Sequence, residues 1–126
     1  MMYLLDTNIF LEILLKQGKS DLCKQFLSEH YGEISISDFS LHSIGVILFR
    51  RKKQDIFLDF VRDVISKVDI LSLPVSEYQF SLQNILQSSL DFDDFYQYRI
   101  ARYWGLDIVT MDSDFKRISD VNVLFL

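Results

Sequence analysis

Five short runs rich in aliphatic and β-branched residues punctuate the chain: Tyr3–Leu5, Glu33–Ser37, Asp69–Leu73, Asp107–Met111 and Asn122–Leu126. Their length and flanking polar residues predict strands. Between them the apolar positions fall at helical spacing. Ile9, Leu11, Ile13, Leu14 and Leu15 predict a helix that follows Asp6-Thr7-Asn8 and stops near Gly18. Leu22, Phe26, Leu27 and Tyr31 predict a second, with Ser20 or Asp21 as its cap and Gly32 as its end. A third runs from about Phe39 to Arg50, with Leu41, Ile44, Leu48 and Phe49 inward. Ile56, Phe57, Phe60, Val61, Val64 and Ile65 form the apolar stripe of a fourth. The fifth follows Pro74 and includes Tyr78, Leu82, Ile85 and Leu86, and the sixth begins around Asp91 and ends at Gly105.

The order β-α-α-β-α-α-β-α-α-β-β contains no linker, repeat or low-complexity stretch. Strands separated by helices must pair in parallel, so the expected fold is α/β: a three-layer α/β/α sandwich around a parallel sheet of four or five strands. Composition agrees. A length of 126 residues with 49% apolar content predicts one domain over residues 1–126. Only 4 Gly and 1 Pro interrupt it, too few for a turn-rich β-sandwich. The net charge of −5 excludes a polybasic grip on nucleic acid, and one cysteine excludes a disulfide framework and a Cys-based zinc site. The first residues carry no basic stretch and meet Asp6 at once, and Ile44–Phe49 is about a third of a membrane span. The expectation is a cytoplasmic protein with no membrane partner.

Of the 18 acidic residues, 14 are Asp and 4 are Glu. Aspartate is the poorer helix former and the better cap, turn residue and hard-metal ligand. In a parallel α/β sheet, reactive groups gather beyond the carboxyl ends of the strands. Asp6, Thr7 and Asn8 stand past the first strand, and Thr110, Met111, Asp112, Ser113 and Asp114 stand at the end of the fourth. Asp91, Asp93 and Asp94 open the sixth helix. Converging carboxylates repel by about 4 kcal/mol at 4 Å and an effective dielectric near 20. A Mg²⁺ or Mn²⁺ ion removes that penalty and activates water for attack on a phosphodiester. Each group also has a plain structural use: Asp6 or Thr7 as a cap, Asp91 as a cap, Asp93 as a solvated first-turn acid, and Asp112-Ser113-Asp114 as a turn. Their coincidence at one expected edge favours chemistry.

Three segments carry a family resemblance: Leu-Leu-Asp6-Thr-Asn8-Ile-Phe-Leu-Glu, Asp93-Asp94-Phe-Tyr-Gln-Tyr-Arg-Ile-Ala101 and Ile-Val-Thr110-Met-Asp112-Ser-Asp114-Phe115. In this order and over the whole chain, they resemble the PIN domain family, small metal-dependent ribonucleases that include the VapC toxins of toxin–antitoxin pairs. The resemblance implies Mg²⁺ or Mn²⁺, an RNA substrate cleaved by hydrolysis, and an antitoxin partner. It also implies Asp6 as central metal ligand with Asn8 steadying the site, Asp94 and Asp112 as further ligands, and Thr110 and Asp114 orienting water or metal. For one shared ion, the nearest oxygens of Asp6, Asp94 and Asp112 are expected within roughly 5 Å of one another or of bridging waters.

One position departs from that pattern. The family's usual Glu on the helix after the second strand falls here on Ser43, six residues beyond Ser37, with His42 before it. A hydroxyl is a poor substitute for a carboxylate. Three readings stay open: a thinner site of Asp6, Asp94 and Asp112; His42 entering it as a ligand or supporting donor, which favours Mn²⁺; or a catalytically impaired RNA- or protein-binding module. Glu12 and Asp38 are further sources of a carboxylate. A receiver or phosphatase domain also places Asp after its first strand, but the second Asp a phosphatase needs is Asn8 here, and the receiver's paired acids and late Lys are missing.

Cations for RNA are sparse. Arg50-Arg51-Lys52-Lys53 is the dense run, with a helix C-terminus as its simpler explanation. Arg99, Arg102, Lys116 and Arg117 are nearer the acids, and Tyr96, Tyr98, Tyr103 and Trp104 are available for base stacking or for packing. The apolar helices at Leu22–Tyr31 and Phe57–Ile65 suit a homodimer or an antitoxin segment as well as the core.

Overall fold

The computed structural model describes residues 2–80 and 86–126, and the expected helical positions Leu82 and Ile85 lie outside them. The order is β1 (Tyr3–Leu5), α1 (Thr7–Leu14), α2 (Ser20–Glu29), β2 (Ile34–Ser37), α3 (Asp38–Arg50), α4 (Gln54–Asp63), β3 (Asp69–Leu71), α5 (Val75–Phe80), α6 (Phe92–Trp104), β4 (Asp107–Thr110) and β5 (Val123–Phe125). Single 3₁₀ turns at Ile65–Lys67 and Ser113–Arg117 precede β3 and β5. All five strands pair in parallel in the order β3-β2-β1-β4-β5.

Alternation along the strands builds two cores. Leu5 and Val109, paired across β1 and β4, face the layer of α1, α2, α3 and α4 with Ile9, Phe10, Phe26, Ile44, Leu48 and Phe60. Their neighbours Leu4 and Ile108 face the opposite layer, with Tyr96, Ile100 and Ala101 of α6 and Tyr78 of α5. Burying a side chain such as Ile9 or Phe10 contributes about 2–3 kcal/mol. Two layers of helices on one parallel sheet is the expected α/β/α arrangement, with five strands.

Element ends moved by one to four residues: α1 stops at Leu14 rather than near Gly18, and α2 at Glu29 rather than Gly32. Pairing stops at Leu71 and Thr110, short of Leu73 and Met111. The second helix is not capped as expected: Ser20 and Asp21 lie inside its first turn, Ser20 is buried, and Lys19 takes the cap position without a side-chain bond. Gly105 ends α6 in the left-handed region (φ 70°), where a side chain is strained. A Cβ at Gly45 would stand 3.3 Å from the Phe57 ring, so glycine lets α3 and α4 approach closely.

The chain starts in the middle of the sheet, runs out through β2 and β3, and returns to the other flank of β1 as β4. The strand order therefore reverses between β1 and β4, the place where open α/β sheets leave a crevice at their carboxyl ends. No helix among the described residues is long and apolar enough to cross a membrane.

Candidate functional site

Register decides what meets at that crevice. Leu5 pairs with Val109, and the Asp6 N–H donates to the Val109 carbonyl at 2.9 Å, so Asp6 and Thr110 emerge side by side. The Thr110 hydroxyl accepts from the Asp112 N–H (2.9 Å), so its own proton is free to donate to Asp6 Oδ2 at 2.8 Å. Asp6 caps α1 in extended conformation, its Oδ1 accepting from the Thr7 N–H at 2.8 Å and from Gln97 Nε2 at 3.3 Å. Three donors from three parts of the chain thus hold one carboxylate. Burial raises the proton affinity of Asp6, the bonds from Thr110, Gln97 and Thr7 oppose this, and the charge of Asp112 adds to the rise.

Asp94 reaches the same crevice from the first turn of α6. It is 7% exposed, and its pKa is pushed up to about 7, first by burial and then by the charges of Asp93, Asp6, Asp112 and Asp114. Asp112 stands just past β4 and accepts from the Asp114 N–H at 2.9 Å, so the expected turn forms and aims both carboxylates. One oxygen from each of Asp94, Asp112 and Asp114 lies within 4.8 Å of the other two.

Asp114 completes this close group with Asp94 and Asp112, while Asp6, expected as the central ligand, is held beside it by its three donors. Asp6 still lines the crevice beside them, with Asn8, Leu11, Phe39, Ser43, Ile47, Asp93 and Gln97. Asn8 Oδ1 is buried there with no partner among the described residues.

Position 43 does lie at the cleft. Phe39, Ser43 and Ile47 recur every four residues on α3 and line the same cleft as the acids. His42 does not join them. It lies about 100° around the helix from Ser43, exposed beside Gly45, Val46, Phe49 and Phe57. Glu12 and Asp38 are also elsewhere: Glu12 accepts from the Lys19 N–H, and Asp38 accepts from the Tyr96 hydroxyl. The cleft's acids are thus Asp6 past β1, Asp93 and Asp94 of α6 and Asp112 past β4, with Asp114 grouped against Asp94 and Asp112. Asp91 and Asp93 form a second acidic group with Asp94, and Asp91 caps α6 by position without a side-chain bond.

The cations mostly serve the fold. Buried Arg99 pairs with Glu77 at 3.4 Å, Arg102 binds Asp120, and Lys116 lies over the Phe125 ring at 5.9 Å. Arg117 is half-exposed and 3.7 Å from Asp114, so it borders the acidic set. Tyr96 is buried and bonded to Asp38 and to the Leu73 N–H, and Tyr98 bonds Asp120, while Tyr103 and Trp104 stay partly exposed. Ser40 and Gln97 escaped the sequence reading, since a polar residue within an apolar helical stretch gives no periodic signal.

Oxygen-only carboxylate donors, with Asp94 pushed up to about 7 first by burial and then by its acidic neighbours, fit a hard divalent cation. The PIN domain family model matches residues 3–121. Among curated proteins, none matches the sequence. Solved structures with the same fold include VapBC2 of Rickettsia felis bound to a DNA fragment from its promoter (21% identity, TM-score 0.77, 98% of this chain and 97% of that one). A toxin–antitoxin complex from Klebsiella pneumoniae is similar at 21% identity and TM-score 0.74, over 94% of each chain. VapC20 of Mycobacterium tuberculosis, a sarcin–ricin loop cleaving toxin, is similar at 13% identity and TM-score 0.76, over 95% of this chain and 98% of that one. With a family match across nearly its whole length and a shared fold, the chain belongs to the PIN domain family.

Proposed function

We propose that this chain is a metal-dependent endoribonuclease that hydrolyses RNA phosphodiester bonds, acting as the toxin of a toxin–antitoxin pair. The observation that carries the reading is the meeting of Asp94, Asp112 and Asp114 within 4.8 Å at the strand-order reversal, with Asp6 beside them. Asp94, Asp112 and Asp114 would hold Mg²⁺ or Mn²⁺, with Asp6 at its flank. Bound there, the ion supplies an activated water and screens charge on the phosphate. Thr110 holds the Asp6 carboxylate and, through the Asp112 N–H, couples it to the turn after β4. Arg117 stands where a cation can meet the RNA backbone, and local contact of this kind is what a chain of net charge −5 requires.

The solved VapBC and toxin–antitoxin complexes support a partner protein for this chain. Leu22 on α2, Tyr31 in the turn after it and Leu58 on α4 are exposed and suit an antitoxin or a second copy. The expected assay result is cleavage of single-stranded RNA with Mn²⁺ or Mg²⁺, none in EDTA, and none by Asp6→Asn. Equal cleavage by Asp6→Asn would overturn the assignment. Ser43 on the cleft wall favours a second reading, an RNA- or protein-binding module without catalysis. That reading predicts RNA binding by the wild-type chain with no metal-dependent products.

A further inference from the structure

The acids reach the cleft on separate elements, and one uncharged side chain touches two of the elements that frame it. Gln97 lies one turn after Asp94 on α6 and is 2% exposed. Its Nε2 donates to Ser40 Oγ on α3 at 2.6 Å and to Asp6 Oδ1 past β1 at 3.3 Å. An ionised carboxylate only accepts, so the nitrogen of the amide faces Asp6. Ser40 is itself fixed: it is fully buried, its N–H donates to Ser37 Oγ, and its hydroxyl accepts from Thr7 Oγ1 at 2.8 Å. The other end of the amide is unmet, since Gln97 Oε1 is buried without a partner among the described residues. A methionine of similar length would strand no oxygen there.

We propose that Gln97 is a positioning residue for the metal centre: its amide, steered by Ser40, fixes the Asp6 carboxylate relative to Asp94 on the same helix. The inference rests on the metal-centre reading above. Without Gln97, the hydrogen bonds left to Asp6 among the described residues come from Thr7 and Thr110, and none of them ties it to α6. Outer partners of this kind change metal affinity by about 10–100-fold.

Mn²⁺ affinity, read from the EPR signal of free Mn²⁺ during titration of the full chain, tests this without recourse to activity. Gln97→Met should weaken Mn²⁺ binding by about tenfold while cooperative unfolding is retained. Gln97→His, whose Nε2–H stands near the position of the amide proton, should restore most of the loss. Ser40→Ala, which unfastens the amide but leaves it in place, should show a smaller loss, and it carries the test if Gln97→Met does not fold. Wild-type affinity in Gln97→Met, or in Ser40→Ala in its stead, overturns the inference and leaves the metal centre standing. A loss that Gln97→His does not rescue points to packing and also overturns it. Absence of saturable Mn²⁺ binding by the wild-type chain overturns both.

Discussion

Replacing Asp94 by Asn should stabilise the metal-free protein and abolish its response to metal. Asp94 is 7% exposed, crowded by four other carboxylates, and carries a pKa of about 7. In the unfolded chain an aspartate titrates near 3.9. The folded state therefore holds this proton more tightly than the unfolded one. The associated stability is present at low pH, is lost as pH climbs from about 4 to 7, and is gone above that range. A gap of about 3 units corresponds to about 4 kcal/mol, and water at the cleft mouth screens roughly half of it, leaving about 2 kcal/mol. Asparagine keeps the size and cannot ionise. The metal-free variant should gain about 2 kcal/mol at pH 8 and about 0.5 kcal/mol at pH 4.5. For a chain of this length the first figure is about 8 °C in Tm. Thermal unfolding followed by circular dichroism in EDTA at both pH values measures this. Millimolar Mn²⁺ at pH 8 should then raise the Tm of wild type and leave the variant unmoved. A variant no more stable than wild type at pH 8, or equally stabilised at both pH values, would refute the reasoning.

Other substitutions probe the frame and the missing acid. Tyr96→Phe strands the Leu73 N–H and removes a 2.9 Å bond to Asp38; it should cost about 2 kcal/mol in urea unfolding and leave Mn²⁺ affinity intact. Gly105→Ala meets no atom within 4 Å, so only its left-handed backbone is penalised. It should cost about 1 kcal/mol, with Gly105→Asn costing less. Ser43→Glu adds a carboxylate to the cleft that the acids line and should tighten Mn²⁺ binding about tenfold in calorimetric titration while lowering metal-free stability at pH 8. Unchanged or weaker binding would show that the wall at position 43 does not reach the ion.

Much of this was legible because two periodicities are strong. Adjacent Leu4 and Leu5 must face opposite sides of β1, and together with Ile108 and Val109 they announce a sheet buried on both faces. The same logic puts Asp6 and Asp112 at one rim, since parallel strands end together. Asp94 was legible through the family pattern rather than through physics, because its helix follows no strand directly. The place of Asp114 in the close set was hidden by its turn: the Asp112–Asp114 bond that a turn explains is also what aims the two acids together. Of the three readings left open at position 43, the one through His42 could have been weighed by the phase of α3, since Phe39, Ser43 and Ile47 share the cleft face and position 42 falls on another. Gln97 and Ser40 left no trace in the sequence, because they lie 57 residues apart and the Asp6 that Gln97 also meets lies 91 residues away.

The most direct test of a cation centre built from these acids is calorimetric titration of the chain with Mn²⁺ at pH 8, beside Asp94→Asn and Asp112→Asn. One saturable site in wild type, weakened at least about tenfold in each variant, is the predicted result. Wild-type protein that takes up no Mn²⁺ at millimolar concentration, or variants that bind as tightly as wild type, would contradict it.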